Sequence, residues 1–343
     1  IPGLWDMHVH LDMHNDSDLA MLVANGVLNV RDMGGDPFVL ADLKRRTASG
    51  ELVGPTIRGA GAILEDRRWL TRVRKIFPDF AHRLPVDNPA EARATVALLA
   101  SWGVDLVKIR NVAGQATLAV LRGGLTVAGH EPRSATIVEA ARLGMTSFEH
   151  LPFIGLTMPG EEADDAEVER VAASMAETGA HVTPTLIASR KLGWTREQLQ
   201  AAIDRPDERH RYLSATAKEE WIESLESDAG PLPWGEMYRR SLEILRQMRA
   251  AGVPVLAGTD MGVPLTFPGF ALHDELELLV DEAGLEPLEA LRAATATPEP
   301  APEPEAAPPA PPPGPTLVEL TASVAGEGQA GWVDLLHTVQ TTV

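Results

Sequence analysis

His8 and His10 stand one residue apart in LWDMHVHL. Side chains alternate faces along a strand, so two histidines at this spacing project together and can share one metal ion. Further along, Lys108 stands in VDLVKIR, His130 in TVAGHE, His150 in TSFEHL and Asp260 in VPVLAGTD, each toward the C-terminal end of an apolar, β-branched run. Five strand-like segments thus end in residues able to bind a metal or to respond to one.

In a parallel barrel the C-terminal ends of the strands converge on one mouth, so residues far apart in sequence can meet there. In that arrangement His8 and His10 bind one metal with Asp260 as third ligand, and His130 and His150 bind a second. Lys108 falls between the two groups, where an ammonium cannot ligate a cation. A buried lysine beside cations loses its proton readily, and its neutral amine can capture carbon dioxide as a carbamate, an anionic bridge with two oxygens. Two divalent ions sharing a hydroxide hold a nucleophile at neutral pH, because coordination lowers the pKa of water toward about 7. Asp260 is then placed as the catalytic residue, taking the hydroxide's proton and delivering it to a leaving amine. The implied chemistry is hydrolysis of an amide bond. The chain contains no cysteine, so nitrogen and oxygen must hold the metal. Zinc is the default, and manganese, cobalt, nickel and iron are also admitted.

Plainer readings stand beside these. The histidine pair can be a core pair, and Lys108 can be salt-bridged to Asp260 with a single metal bound. Arg110 follows Lys108 by two residues and shares its face if the strand persists. Arginine's planar fork suits a carboxylate, so Arg110 is a candidate substrate anchor, with a solvated strand-end arginine as the alternative. Arg31, in NVRDMGG, has a similar claim or else braces Asp32 or the glycine turn. His273, in FALHDEL, either faces the mouth and touches substrate or caps the following helix. His181 opens a strand at its N-terminal end and is read as structural. The sequence has no Gly-x-Ser-x-Gly elbow, Gly-rich phosphate loop or His-Glu-x-x-His helix.

Placing such residues takes strands alternating with helices. Apolar runs at 4–11, 27–33, 56–63, 104–110, 126–131, 146–151, 181–188 and 253–260 predict eight strands, separated by amphipathic segments such as NPAEARATVALLASWG and YRRSLEILRQMRAAG. This is the pattern of an α/β chain, a (β/α)8 TIM-like barrel, expected over residues 1–297. Residues 189–237, with Trp194, Trp221 and Trp234, exceed a simple connection. They are expected to form a mostly helical insertion over the mouth, or else an oligomer contact. Residues 298–315, rich in Pro, Glu and Ala, read as an extended linker, and 316–343 as a small terminal β element.

The bulk properties suit a water-soluble enzyme. A chain of 343 residues holds a barrel plus a smaller piece, and a net charge of −19, from 49 acidic against 30 basic residues, argues against nucleic acid and anionic membrane as partners. No apolar run approaches the roughly 20 residues needed to span a bilayer. The N-terminus lacks the basic start of a signal peptide, although opening at Ile1 leaves room for an upstream segment. The expected setting is cytoplasmic, the expected partner a small-molecule amide or dipeptide, and the apolar helices and tryptophans suggest a homo-oligomer.

Together, PGLWDMHVHL, VKI, VAGH, SFEHL and AGTD, followed by LHDELELLVDEAGLEPLEALRAAT, resemble the metal-dependent amidohydrolase superfamily. The nearest resemblance is to its imidazolonepropionase-related, Xaa-Pro dipeptidase (prolidase-like) group, across about residues 1–297. The resemblance implies a metal site of His8, His10, Lys108, His130, His150 and Asp260, with two divalent ions and a carbamylated Lys108. It implies dipeptides or N-acyl amino acids with a free carboxylate as substrates. It also implies a β-sandwich built from both termini, of which a small, incomplete element is expected here, because the chain starts almost at the first barrel strand. Two other functions are weighed: a single-metal cyclic amidohydrolase or deaminase, and a non-catalytic barrel with a binding or assembly role.

Overall fold

The computed structural model describes residues 2–76, 82–112, 114–121, 123–132, 136–151, 164–205, 207–212, 234–263 and 265–295. The expected linker, the expected terminal element and residues 213–233 of the expected insertion lie outside the described residues.

The described strands are β1 (Leu4–Val9), β2 (Val27–Asp32), β3 (Thr56–Gly59), β4 (Ile63–Glu65), β5 (Arg83–Pro85), β6 (Leu106–Ile109), β7 (Thr126–Gly129), β8 (Met145–Glu149) and β9 (His181–Thr183). They form two sheets, one in the order β1-β2-β3 and one in the order β5-β4-β6-β7-β8-β9. Every pairing between them is parallel. Parallel neighbours need a crossover, and helices supply most of them. The helix Pro37–Ser49 starts where the Asp36 carboxylate accepts the N–H groups of Phe38 and Val39, with Pro37 at its first position, and ends at Gly50 in the left-handed region. Asn88 and Pro89 open the helix Pro89–Ser101 in the same way. Among the described residues no helix is long and apolar enough to cross a membrane.

Backbone hydrogen bonds link the sheets at two places. Asp105 N–H, ahead of β6, donates to the Gly59 carbonyl of β3 at 2.9 Å. On the other side, residues 253–260 run between β9 and β1. Val182 N–H donates to Pro254 O (3.0 Å), Leu256 N–H to Val182 O (2.9 Å), Met7 N–H to Ala257 O (2.9 Å) and Asp260 N–H to His8 O (2.8 Å).

Three strand expectations are corrected. The segment 253–260 forms isolated bridges, Val255 with Val182 and Met261 with Val9, instead of a continuous strand. The run expected at 56–63 is broken between β3 and β4, with Gly61 in the left-handed region at φ 63°. The run expected at 181–188 stops at Thr183, because Pro184 lacks the N–H that a ladder needs, Thr185 turns to φ 47°, and Leu186–Leu192 is a helix. The rest of the described insertion is helical, with Arg196–Asp204, a 3-10 turn at Glu208–Tyr212 and Trp234–Ala250. Trp194, Leu199, Ala202 and Ile203 pack on Leu265 and Phe267, just beyond Asp260.

Strand alternation sorts the core into two parts. Val107, Ile109, Val127, Phe148 and Val182 face the helices in the large apolar cluster. Their neighbours on the other face are a small apolar group, Met33, Ala60, Leu106 and Ala128, and above it a buried polar set that includes His8, Arg31, Lys108, Ser147, Glu149 and Thr183. Each buried aliphatic side chain on the helix-facing side stabilises the fold by roughly 1.5–3 kcal/mol. That side holds the strands in place while the other carries the polar groups.

Candidate metal centre

The two ends of the described chain meet at this site. Asp6, almost fully buried, accepts the Thr259 N–H at 3.0 Å, the Thr259 hydroxyl at 2.7 Å and the His8 N–H at 3.2 Å. These bonds, with that from Asp260 N–H to His8 O, fix residues 259–260 against β1. As a result His8 Nε2 and His10 Nε2 each lie 3.4 Å from Asp260 Oδ1.

The far nitrogen of each ring decides what the near one can do. His8 Nδ1–H donates to Glu149 Oε2 at 2.7 Å, and His10 Nδ1–H donates to the Gly34 carbonyl at 2.6 Å. A proton on Nδ1 leaves the Nε2 lone pair free and pointed at Asp260. Among the described residues His8, His10 and Asp260 bring their ligand atoms within 4.8 Å of one another. Two imidazole nitrogens and a carboxylate suit a divalent cation of the zinc type, so these residues fit such an ion.

The electrostatics agree with that fit at His8 and are governed by Asp260 at His10. Burial, then the charge on Lys108, pushes His8 down to about 3, overcoming the pull of Asp260 and Glu149, so its ring is neutral. Burial also lowers His150 to about 4 and holds His130 well below the ordinary histidine range. His10 is raised: burial opposes its protonation, but the hydrogen bond and charge of Asp260 prevail. Asp260 itself would be raised by burial, yet the histidines around it hold it well below the usual carboxylate range. Burial pushes Lys108 down to about 8.

The remaining candidates fall into two groups. His150 and His130 are brought to the cluster, with ring centroids 5.0 Å from His8 to His150 and 4.7 Å from His150 to His130. His150 Nδ1 is hydrogen-bonded to the Thr185 hydroxyl at 2.8 Å. Lys108 is 2 % exposed on the inner face of β6. Arg110 also faces this end, since its charge is felt by Lys108, His130 and His150.

Arg31 and His273 are not placed as substrate anchors. Arg31 lies beneath the cluster, where Nε donates to the Met7 carbonyl (2.7 Å) and Nη2 to Glu149 Oε1 (2.7 Å), Ser147 (3.2 Å) and Thr183 (3.3 Å). His273 is exposed on the helix Phe270–Asp281 and donates through Nε2 to the Asn25 carbonyl at 2.9 Å. His181 Nδ1 donates to the Thr146 carbonyl of the neighbouring strand at 3.2 Å.

Sequence reasoning missed Glu149, Asp6 and Thr185. Glu149 is a buried carboxylate held far below its ordinary range: burial opposes ionisation, but Arg31 and His8 outweigh it. A glutamate on the inner face of an apolar strand, next to a candidate ligand histidine, was the available signal. The site also gathers unusual backbone. His150 (φ 62°), Thr185 (φ 47°), Asp260 (φ 54°) and Asn111 (φ 54°) all occupy the left-handed region, which non-glycine residues adopt at a cost.

No family model and no curated protein matches the chain. Solved structures do. A bottromycin amidohydrolase aligns over 86 % of this chain at 23 % identity and TM-score 0.65. Ochratoxinase of A. niger aligns over 86 % at 19 % identity and TM-score 0.60, with 70 % of its own length covered. A Xaa-Pro dipeptidase with methionine bound in its active site aligns over 85 % at 21 % identity and TM-score 0.60, with 73 % covered. This chain spans 65 % of the length of the bottromycin enzyme. The structural neighbours are thus members of the amidohydrolase superfamily, the one to which the sequence motifs pointed, and this chain has their α/β fold.

Proposed function

We propose that this protein is a metal-dependent hydrolase that cleaves amide bonds of small molecules, dipeptides or N-acyl amino acids. The observation that carries the proposal is the convergence of His8 Nε2 and His10 Nε2 on Asp260 Oδ1, with both Nδ1 atoms engaged on their far sides. His8, His10 and Asp260 would hold one divalent cation, with zinc as the default. His130 and His150, with a carbamate on Lys108, would hold a second. A bound divalent cation supplies Lewis acidity toward the scissile carbonyl and makes water nucleophilic at neutral pH.

The chain's own groups do the rest. Asp260 is ionised, so its carboxylate can accept the proton of the attacking water and return it to the leaving nitrogen, which departs poorly unless protonated. Glu149 and the Gly34 carbonyl hold the two imidazoles in the ligand tautomer. The described part of the insertion, packed through Trp194 and Leu199 on Leu265 and Phe267 beyond Asp260, would shape the substrate site. Under this proposal the two sheets are one closed barrel, which the Asp105–Gly59 bond and the bonds of residues 254–260 support.

One observation favours a single-metal enzyme instead. Only His8, His10 and Asp260 bring ligand atoms together within 4.8 Å among the described residues. Elemental mass spectrometry of protein purified without chelator and supplied with bicarbonate separates the cases. About two ions per chain, with turnover in a dipeptide panel, supports the bridged site. About one moves the assignment to single-metal cyclic amide hydrolysis or deamination, and none after reloading ends the enzymatic reading.

A further inference from the structure

We propose that Glu275 is a positioning residue for His150: its carboxyl group takes the N–H groups at the start of the helix Leu186–Leu192 and so leaves the Thr185 hydroxyl to fix the tautomer of the His150 ring. The inference rests on the two-metal hydrolase reading for the ion that His150 would hold, and extends that reading to a side chain on another helix.

The buried residues of the helix Phe270–Asp281 are Ala271, Leu272, Glu275, Leu278 and Leu279, a single face at helical spacing. Glu275, with no exposure to solvent, stands where an aliphatic side chain would complete that face. A buried carboxyl group has to be satisfied, and the partners of this one are specific. Leu186 N–H donates to Oε1 at 3.0 Å and Ile187 N–H to Oε2 at 2.7 Å. These are the first two N–H groups of the helix Leu186–Leu192. Helix-start donors have no partner within their own helix, and the side chain of the preceding cap residue commonly accepts from them.

Here the cap residue is Thr185, and its side chain makes no capping bond. A threonine cap usually has extended backbone and turns its oxygen back to the helix. Thr185 is instead left-handed, at φ 47° and ψ 50°, and fully buried, a costly state for a β-branched residue. In that conformation its hydroxyl meets His150 Nδ1 at 2.8 Å. A neutral imidazole carries one ring proton, and with that proton on Nδ1 the Nε2 lone pair is left for an ion. Glu275 and Thr185 thus divide one task. If Glu275 released the helix N–H groups, the Thr185 oxygen would be the acceptor adjacent to them in sequence, and His150 would lose its partner. A plain tether between two helices would not need the cap threonine turned away from its own helix.

Full-length wild type, Glu275→Gln, Thr185→Val, Thr185→Ser and the Glu275→Gln/Thr185→Val double variant are compared in zinc titrations against a chelator and by heteronuclear NMR of isotope-labelled histidine. The His150 signals are assigned by their loss in His150→Asn. Wild type is expected to hold His150 as the Nδ1–H tautomer. Thr185→Val should admit the Nε2–H form and weaken the second zinc about 10- to 100-fold, and Glu275→Gln about 10-fold, with the first zinc changed less than about three-fold in both. Thr185→Ser should restore both readouts. The double variant should be no weaker than Thr185→Val alone, because both changes act through one bond. Val280→Ala, on the same helix as Glu275, controls for plain destabilisation and should leave the His150 tautomer unchanged. The Nε2–H tautomer in wild type, a measurement that needs no variant to fold, overturns the proposal. So do an unchanged tautomer in Glu275→Gln, an equal loss of both zinc ions there, or the same damage in Val280→Ala. If wild type takes up fewer than two zinc ions the two-metal reading fails, while the NMR spectra still decide the role of Glu275.

Discussion

Behind His8, Glu149 and Arg31 do work that the ligand list alone would miss. Glu149 accepts the hydrogen bond of His8 Nδ1–H at 2.7 Å and neutralises a guanidinium that has almost no access to water. Glu149→Gln is expected to weaken metal affinity about 10- to 100-fold and to destabilise the fold by about 3–5 kcal/mol, because it leaves Arg31 buried without its counter-charge. Chelator competition and a denaturant melt read the two effects; wild-type values in both would sink this account. Lys108→Ala tests the bridge: metal content should fall from about two ions to about one with loss of turnover, whereas unchanged content and activity would assign Lys108 a structural role. Legibility at this scale followed chemistry. That His8, His10, His130, His150 and Asp260 gather could be read because a potential ligand type at a strand end is conspicuous. Arg31 was misread, because a strand-end arginine looks free until its partner 118 residues away is placed beside it.

At the level of strands and helices, the period-two pattern located most strands, and the breaks were set by single residues that the pattern does not weigh. Pro184 and Thr185 end β9 early and start a helix whose first N–H groups, at Leu186 and Ile187, donate to the buried Glu275 at 3.0 and 2.7 Å. Burial pushes the Glu275 carboxyl from its ordinary 4.5 up to about 8, outweighing those two bonds. The folded chain therefore holds a proton there that the unfolded chain releases. The associated stability is complete below pH 4.5 and is lost as pH rises through about 8. Glu275→Gln cannot ionise but sets an amide nitrogen against one of the two N–H donors, so it should melt below wild type near pH 5, and the difference should close or reverse near pH 9. Melting curves that stay parallel across this range would refute it. Gly129 makes the sharpest packing demand: a Cβ there would fall 2.1 Å from the Ile109 carbonyl oxygen, at φ 152°. Gly129→Ala should cost roughly 2–4 kcal/mol by forcing β7 from β6 and shifting His130, which a denaturant melt would show.

For the whole molecule, the candidate centre joins β1 to residues separated from it by nearly the entire described chain. Such a site reports on global folding, because His8 and Asp260 meet only when the intervening elements are in place. Divalent ion at about 100 times its dissociation constant should add about 2.7 kcal/mol and raise Tm by roughly 4 °C. Calorimetry with and without chelator checks this, and a metal-independent Tm would argue against a site shared by the two segments. The fold class and its alternation of strands and helices were legible from the sequence, since they follow from local patterning. The seams at Gly59–Asp105 and at residues 254–260 were not, because they consist of a few backbone bonds between irregular segments. The left-handed residues have a further consequence for how this protein could evolve. His150, Thr185 and Asp260 hold strained backbone at the candidate site, so glycine at any of them would relax the chain while deleting a functional group. Selection for heat resistance alone would drift toward such replacements and yield sturdier, silent descendants, so heat tolerance and turnover should trade against each other at these three positions.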